Sequence, residues 1–269
     1  MTPNITFSTC WYNFKAKFDI SVYKQWMHNM LSNVNNYNLV VYTDADGFLM
    51  IEPYLKPNIK IIVKPYSEFY TYQFKDNWIK NQERNTLLLN KIDWKVNMLW
   101  SEKINFVYET IQQKHFVTEF YGWCDIGYFR GRNMDLDMNA LKLWPSQDVI
   151  NMLPKDKIHY ACVNTNPDYL KSLHIIINNK NEFGLPVDPI PPQQVSLAGG
   201  FFILHVSRAS WWHETYYNKL KLYFDNNYLV KDDQIIIADC VFSNIKSFAL
   251  RTEPNSQFDP WFMFQRLLL

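Results

Sequence analysis

Four places in the sequence put side chains able to do chemistry into apolar surroundings. Asp125 is the single carboxylate of residues 120–130, Phe-Tyr-Gly-Trp-Cys-Asp-Ile-Gly-Tyr-Phe-Arg, an otherwise apolar and aromatic stretch. A buried carboxylate without a cation or hydrogen-bond donors takes up a proton instead, so an acid at the end of a core strand calls for a partner. The carboxyl end of a strand is also where ligands bind in open α/β sheets. A turn cap, or an ion pair with Arg130, is the alternative for Asp125. The second place is Lys231-Asp232-Asp233-Gln234, which opens the apolar run 235–238. Two acids and an amide there suit a helix N-terminus, where acceptors and negative charge are favourable, and they equally suit orienting or acid–base work beside a ligand. The third is Asp44-Ala45-Asp46-Gly47, directly after the apolar run 39–43. The fourth is Lys103, which falls on the same helical stripe as Val96, Leu99, Trp100, Val107 and Ile111. It either snorkels past the helix to water or reaches an anion, or Asp125, at the edge of a sheet.

The elements that must position these groups follow from hydrophobic spacing. Residues 5–10 read as a buried strand, and 11–14 as a loop. Asp19 caps a helix whose apolar positions are Ile20, Tyr23, Trp26, Met27, Met30, Leu31 and Val34. Strands follow at 39–43 and 59–63, a long helix at 94–113, and strands at 120–124 and 158–163. Helices are expected at 168–178, at 210–223 and from about residue 233. Gly199-Gly200 enters the apolar run 201–204 and marks a place where backbone approaches something closely. This order predicts an α/β fold, a mixed and mainly parallel sheet flanked by helices, as one domain over 1–269. Residues 66–90 read as a short helix or an excursion. Residues 164–195, with Pro167, Pro186, Pro189, Pro191 and Pro192, read as a helix and then a long loop, either disordered or a lid. The tail 258–266 is apolar and packs back onto the body.

Composition bounds the partners. The chain has 269 residues, 48% of them apolar, and a net charge of +1. That is length enough for a large core, and no basic stretch offers the surface that nucleic acid requires. Aromatic residues make up 17%, a content that suits stacking on sugars or bases as well as packing. The four cysteines, Cys10, Cys124, Cys162 and Cys240, have no metal-ligand spacing and read as buried free thiols. With no secretory signal and no apolar run long enough to span a bilayer, a cytoplasmic location is expected.

Leu39 to Asp44, Leu99-Trp100-Ser101-Glu102-Lys103, Tyr121-Gly122-Trp123-Cys124-Asp125-Ile126-Gly127, Ala198-Gly199-Gly200-Phe201-Phe202 and Lys231-Asp232-Asp233-Gln234 occur in that order. Together they resemble a glycosyltransferase of the GT-A type, closest to the HtrL/YibB-like family. The resemblance implies a Rossmann-like sheet that binds a nucleotide-diphosphosugar at its carboxyl ends and transfers the sugar to a glycan, lipid or protein acceptor. It implies Asp233 and Gln234 at the reacting sugar, and Thr9, Asp44, Lys103, Asp125, Gly127, Gly199 and Gly200 around the nucleotide-sugar. Asp125 would hold manganese or magnesium on the diphosphate, since the charge of the leaving group must be met by a metal, a lysine or backbone donors. The sequence departs from the Asp-x-Asp pattern at its third position, which is Gly127.

Two other readings stand beside this one. Asp44-Ala45-Asp46-Gly47 resembles the nucleophile motif of haloacid-dehalogenase-like phosphatases, with Asp44 attacking phosphorus and Asp46 as acid and base. A GT-A-like fold without activity, serving as a binding or structural protein, is the other.

Overall fold

The computed structural model describes residues 3–269. In chain order the elements are β1 (Ile5–Trp11), α1 (Ile20–Leu31), β2 (Asn38–Thr43), α2 (Ala45–Ile51), β3 (Ile59–Val63), α3 (Lys75–Arg84), α4 (Trp94–Gln113), β4 (Phe120–Cys124), α5 (Gln147–Asn151), β5 (Ile158–Cys162), α6 (Pro167–Asn178), β6 (Leu197–His205), α7 (Ala209–Asp225), α8 (Asp233–Ser243), β7 (Phe248–Arg251) and a short α9 (Phe264–Leu267). Capping follows from side-chain chemistry. Asp19 accepts from Ser21 N at the start of α1, and Asp93 from Lys95 N at the start of α4.

The strands form a seven-stranded sheet in the order β3-β2-β1-β4-β6-β5-β7. β1 pairs in parallel with β2 and β4, β2 with β3, and β5 with β7, whereas β6 runs antiparallel to both β4 and β5. The fold is thus α/β with a mixed sheet between helices. β1, β2, β4 and β5 are buried along their whole length, which is why they read as largely apolar runs without a polar face. Because β6 alone is reversed, its first residues lie beside the carboxyl end of β4, with Phe201 opposite Cys124. That reversal brings Gly199-Gly200 next to Asp125.

Each face of the sheet has its own core. Phe106, Trp123, Trp212 and Tyr216 lie in the one formed with α4, α7 and α8. Phe7, Tyr37, Trp144 and Phe201 lie in the other, which α1 and the tail cover through Met30, Met263 and Phe264. The tail therefore packs back as expected.

One segment holds the short helix that its sequence reading allowed, and another departs from its reading, each for a physical reason. Residues 66–90 form 3-10 turns at Tyr66–Glu68 and Tyr70–Phe74 and then α3. A buried carboxylate holds them: Glu102 accepts from Tyr70 N and Thr71 N, each at 2.8 Å, and from Thr71 Oγ1 at 2.6 Å. The stretch after α6 is neither loose nor a lid. Leu185 and Ile190 are buried, Lys180 pairs with the buried Asp239 at 2.7 Å, and Gln194 Nε2 donates to Gln234 O. Its prolines set turns along a packed path. Strand β7 is an element that hydrophobic spacing does not announce. The four cysteines are free and buried, and among the described residues no helix is long and apolar enough to cross a membrane.

Candidate functional site

A cavity of about 470 Å³ opens at the carboxyl ends of β1 and β4, within the size range of small-molecule sites. The end of β1 and the loop after it supply Trp11, Tyr12, Phe14, Lys17 and Phe18, and α1 supplies Tyr23 and Trp26. Helix α4 contributes Trp100 and Lys103, the turn after β4 contributes Asp125 to Tyr128 and Arg130, and the start of β6 contributes Gly199 and Gly200. Asp232, Asp233 and Gln234 at the start of α8, with Asp259, Trp261 and Phe262 of the tail, complete the wall.

A single ammonium organises the floor. Lys103 is buried, and its Nζ lies 3.0 Å from Gly199 O, 3.1 Å from Asp125 Oδ1 and 3.3 Å from Asp233 Oδ2. The contact to Gly199 O is a hydrogen bond, and those to the two carboxylates are ion pairs. Burial opposes the charge on Lys103, but Asp125 and Asp233 together outweigh it and hold the pKa above the ordinary lysine value. Burial pushes the Asp233 carboxyl the other way, up to about 6, against the pull of Lys103 and helped by Asp232 and Asp125. Lys103 thus stays charged, and Asp233 is the member that takes up a proton. Asp125 Oδ1 also accepts from Trp123 Nε1 at 2.6 Å, while 40% of its carboxylate side chain remains open to the cavity. Cys10 on the wall is no nucleophile, because burial pushes its thiol well up.

The glycines explain how two carboxylates approach one strand. A Cβ on Gly199 would lie 2.7 Å from Asp233 Oδ2, and one on Gly200 would lie 3.0 Å from Asp125 Oδ2. What the paired glycines admit is a pair of acidic side chains. Gly127 is small for another reason, since a Cβ there would lie 2.7 Å from the Trp26 ring.

Helix capping does not account for the acids of α8. Asp232 holds the N-cap position in extended conformation, yet its side chain makes no capping hydrogen bond and pairs with Lys231 at 2.6 Å. Asp233 is committed to Lys103. Asp44 behaves differently. It caps α2 by accepting from Gly47 N at 2.8 Å.

Of the residues singled out in the sequence, Lys103, Asp125, Gly127, Gly199, Gly200, Asp233 and Gln234 share this cavity. Asp44 and Asp46 are not on its wall, and Thr9 is wholly buried in β1, paired with Val41. Sequence reasoning passed over Lys17, Trp26, Asp259 and Trp261 as site residues. The high aromatic content was the one trace of the two tryptophans, and it names no positions.

The donor set does not fit a divalent cation held between protein side chains. Among the described residues no three His, Cys, Asp or Glu side chains converge, and the gap between Asp125 and Asp233 is filled by the Lys103 ammonium. Neither Asp125 Oδ2 nor Asp233 Oδ1 accepts a hydrogen bond among the described residues; a magnesium or manganese ion, which commonly takes one or two carboxylates together with waters and substrate phosphates, would depend on a diphosphate to complete its shell here.

No family model matches the chain, and no curated protein matches it.

Proposed function

We propose that the protein is a glycosyltransferase of the GT-A type, moving a sugar from a nucleotide-diphosphosugar to a glycan, lipid or protein acceptor. The observation that carries this reading is the convergence of Lys103, Asp125, Gly199-Gly200 and Asp233-Gln234 on one aromatic-walled cavity at the carboxyl edge of the sheet, where open α/β sheets bind ligands. These residues lie far apart in the chain and carry the resemblance to the family, so their meeting at one edge supports it.

In this reading Lys103 is a positioning residue. It fixes the two carboxylates and the Gly199 carbonyl, which removes their freedom before substrate arrives and so lowers the reorganisation needed at the reaction. Asp233 and Gln234 face the reacting sugar. An oxocarbenium-like transition state gains from a fixed carboxylate near the anomeric carbon. The amide of Gln234 is a weak base and a weak nucleophile, which favours retention through front-face attack. The aromatic wall supplies stacking faces for a base or a sugar.

The deciding experiment is a panel of nucleotide-sugars, with and without manganese, read first as thermal stabilisation and then as hydrolysis or transfer. Stabilisation followed by release of the nucleoside diphosphate is the expected result. Stabilisation without turnover would make the protein a binding module. No response to any nucleotide-sugar, with a response to phosphorylated sugars, would sink the transferase reading.

A further inference from the structure

Pairing off the charges on the cavity wall leaves a remainder. Its cations are Lys17, Lys103 and Arg130, and its anions are Asp125, Asp232, Asp233 and Asp259. Lys103 is taken by Asp125 and Asp233, Asp232 by Lys231, and Asp259 by Arg132. Among the described residues Lys17 and Arg130 have no carboxylate partner. Both are held by aromatic faces. The Lys17 ammonium lies 4.9 Å from the centroid of Trp100, on the side of the cavity where the charges of Asp232 and Asp233 are felt. The Arg130 guanidinium lies 4.3 Å from the ring centroid of Trp26 and 4.7 Å from that of Phe262, where the charge of Asp125 is felt. Its Nε donates to Gly127 O at 3.2 Å, which leaves its two terminal nitrogens without protein acceptors among the described residues. Aromatic rings hold a cation in place without consuming its hydrogen-bond donors. A planar guanidinium with free donors is suited to phosphate oxygens.

We infer that Lys17 and Arg130 are the anion-binding pair of this cavity and that a diphosphate bound there lies between them, meeting the charge that Lys103, already paired with Asp125 and Asp233, does not. The inference rests on the transferase reading for the identity of the anion as the diphosphate of a nucleotide-sugar. The pairing of charges itself points only to a multiply charged phosphate. Two positive charges against a diphosphate would also supply charge compensation from the protein's own side chains.

The test is calorimetric titration of the full chain with UDP, GDP, inorganic pyrophosphate and the corresponding nucleosides. It compares the wild type, Lys17→Met, Arg130→Gln and, as a charge control, Lys171→Met on the exposed side of α6. Lys17 sits at the exposed rim, so its substitution leaves folding intact even if Arg130→Gln does not. The expected result is that each site substitution weakens pyrophosphate and nucleoside diphosphates about tenfold or more and flattens the salt dependence of binding, while nucleosides and the control variant bind as before. Unchanged diphosphate affinity in Lys17→Met and in folded Arg130→Gln overturns the pair and leaves the transferase reading standing. Pyrophosphate binding that both substitutions weaken, with no binding of any nucleoside diphosphate, supports the pair and removes the transferase reading. Absence of any phosphate binding to the wild type overturns the pair.

Discussion

At the scale of single residues the two acidic motifs separate by what their oxygens touch. Asp233 is buried against Lys103 and makes no cap, so its ionisation has opposite effects on stability and on chemistry. Its folded pKa is raised by burial to about 6, and the folded protein therefore keeps a proton there that the unfolded chain releases. That contribution to stability is full below the ordinary carboxylate pKa of about 4 and is lost as pH rises through the folded value. Activity that needs the carboxylate runs the other way, with kcat rising through the same window. Asp233→Asn is predicted to lower kcat by about a hundredfold or more, to leave nucleotide affinity near wild type, and to flatten the dependence of melting temperature on pH. Full activity in this variant would remove the catalytic assignment. Asp44 gives the contrasting case. Asn caps a helix as well as Asp does, so Asp44→Asn is predicted to change neither melting temperature nor sugar transfer. Phosphomonoester hydrolysis by the wild type that disappears in Asp44→Asn would establish the phosphatase chemistry instead.

At the scale of elements, the reversed strand β6 and helices α4 and α8 build the floor together, and the tolerance of β6 to a methyl group reads out that construction. In Gly199→Ala the new Cβ meets a carboxylate that is buried and paired with Lys103, which has little room to turn. Overpacking of this kind costs about 1–3 kcal/mol. In Gly200→Ala the neighbour is Asp125, whose half-exposed side chain can swing into the cavity. Gly199→Ala is therefore predicted to lower the melting temperature more than Gly200→Ala, although both displace a carboxylate and both lose turnover; equal melting temperatures in the two variants would mean that the carboxylates are not held as described. Much of this architecture is legible in the sequence because local periodicity carries it. Helix α4 begins and ends where its stripe places it, and β4 and β6 stand out as apolar runs next to the residues of the site. Lys103 on that stripe left two outcomes open in the sequence, snorkelling to water or meeting Asp125 or another anion, and the structure shows the second, with Asp233 as a further partner. The turns of 66–74 were not legible, because what holds them is Glu102, about thirty residues away on α4. The packed path after α6 was hidden for the same reason, since Asp239 and Gln234 anchor it from α8. Strand β7 has four residues at the edge of the sheet, too few to show a period.

At the scale of the whole molecule, the cavity joins parts of the chain that are distant in sequence, from Trp11 at the end of β1 to Phe262 in the tail. A ligand there should stabilise the fold globally, and the intrinsic fluorophores report where it sits. A nucleoside diphosphate at 100 times its dissociation constant adds about 2.7 kcal/mol, which for a chain of this size raises the melting temperature by about 5–10 °C. Five of the ten tryptophans, Trp11, Trp26, Trp100, Trp123 and Trp261, line the cavity. Binding should therefore change tryptophan emission over the same concentration range as it raises the melting temperature. Trp261→Phe keeps an aromatic wall in the tail while removing one reporter, so it is predicted to retain the thermal shift and to lose part of the emission change. Phe262→Ala removes the face beneath Arg130 and Arg132 and should reduce the thermal shift itself. A shift of full size in Phe262→Ala, with tryptophan emission unmoved in the wild type, would place the ligand outside this cavity and detach the nucleotide from the cluster of Lys103, Asp125 and Asp233.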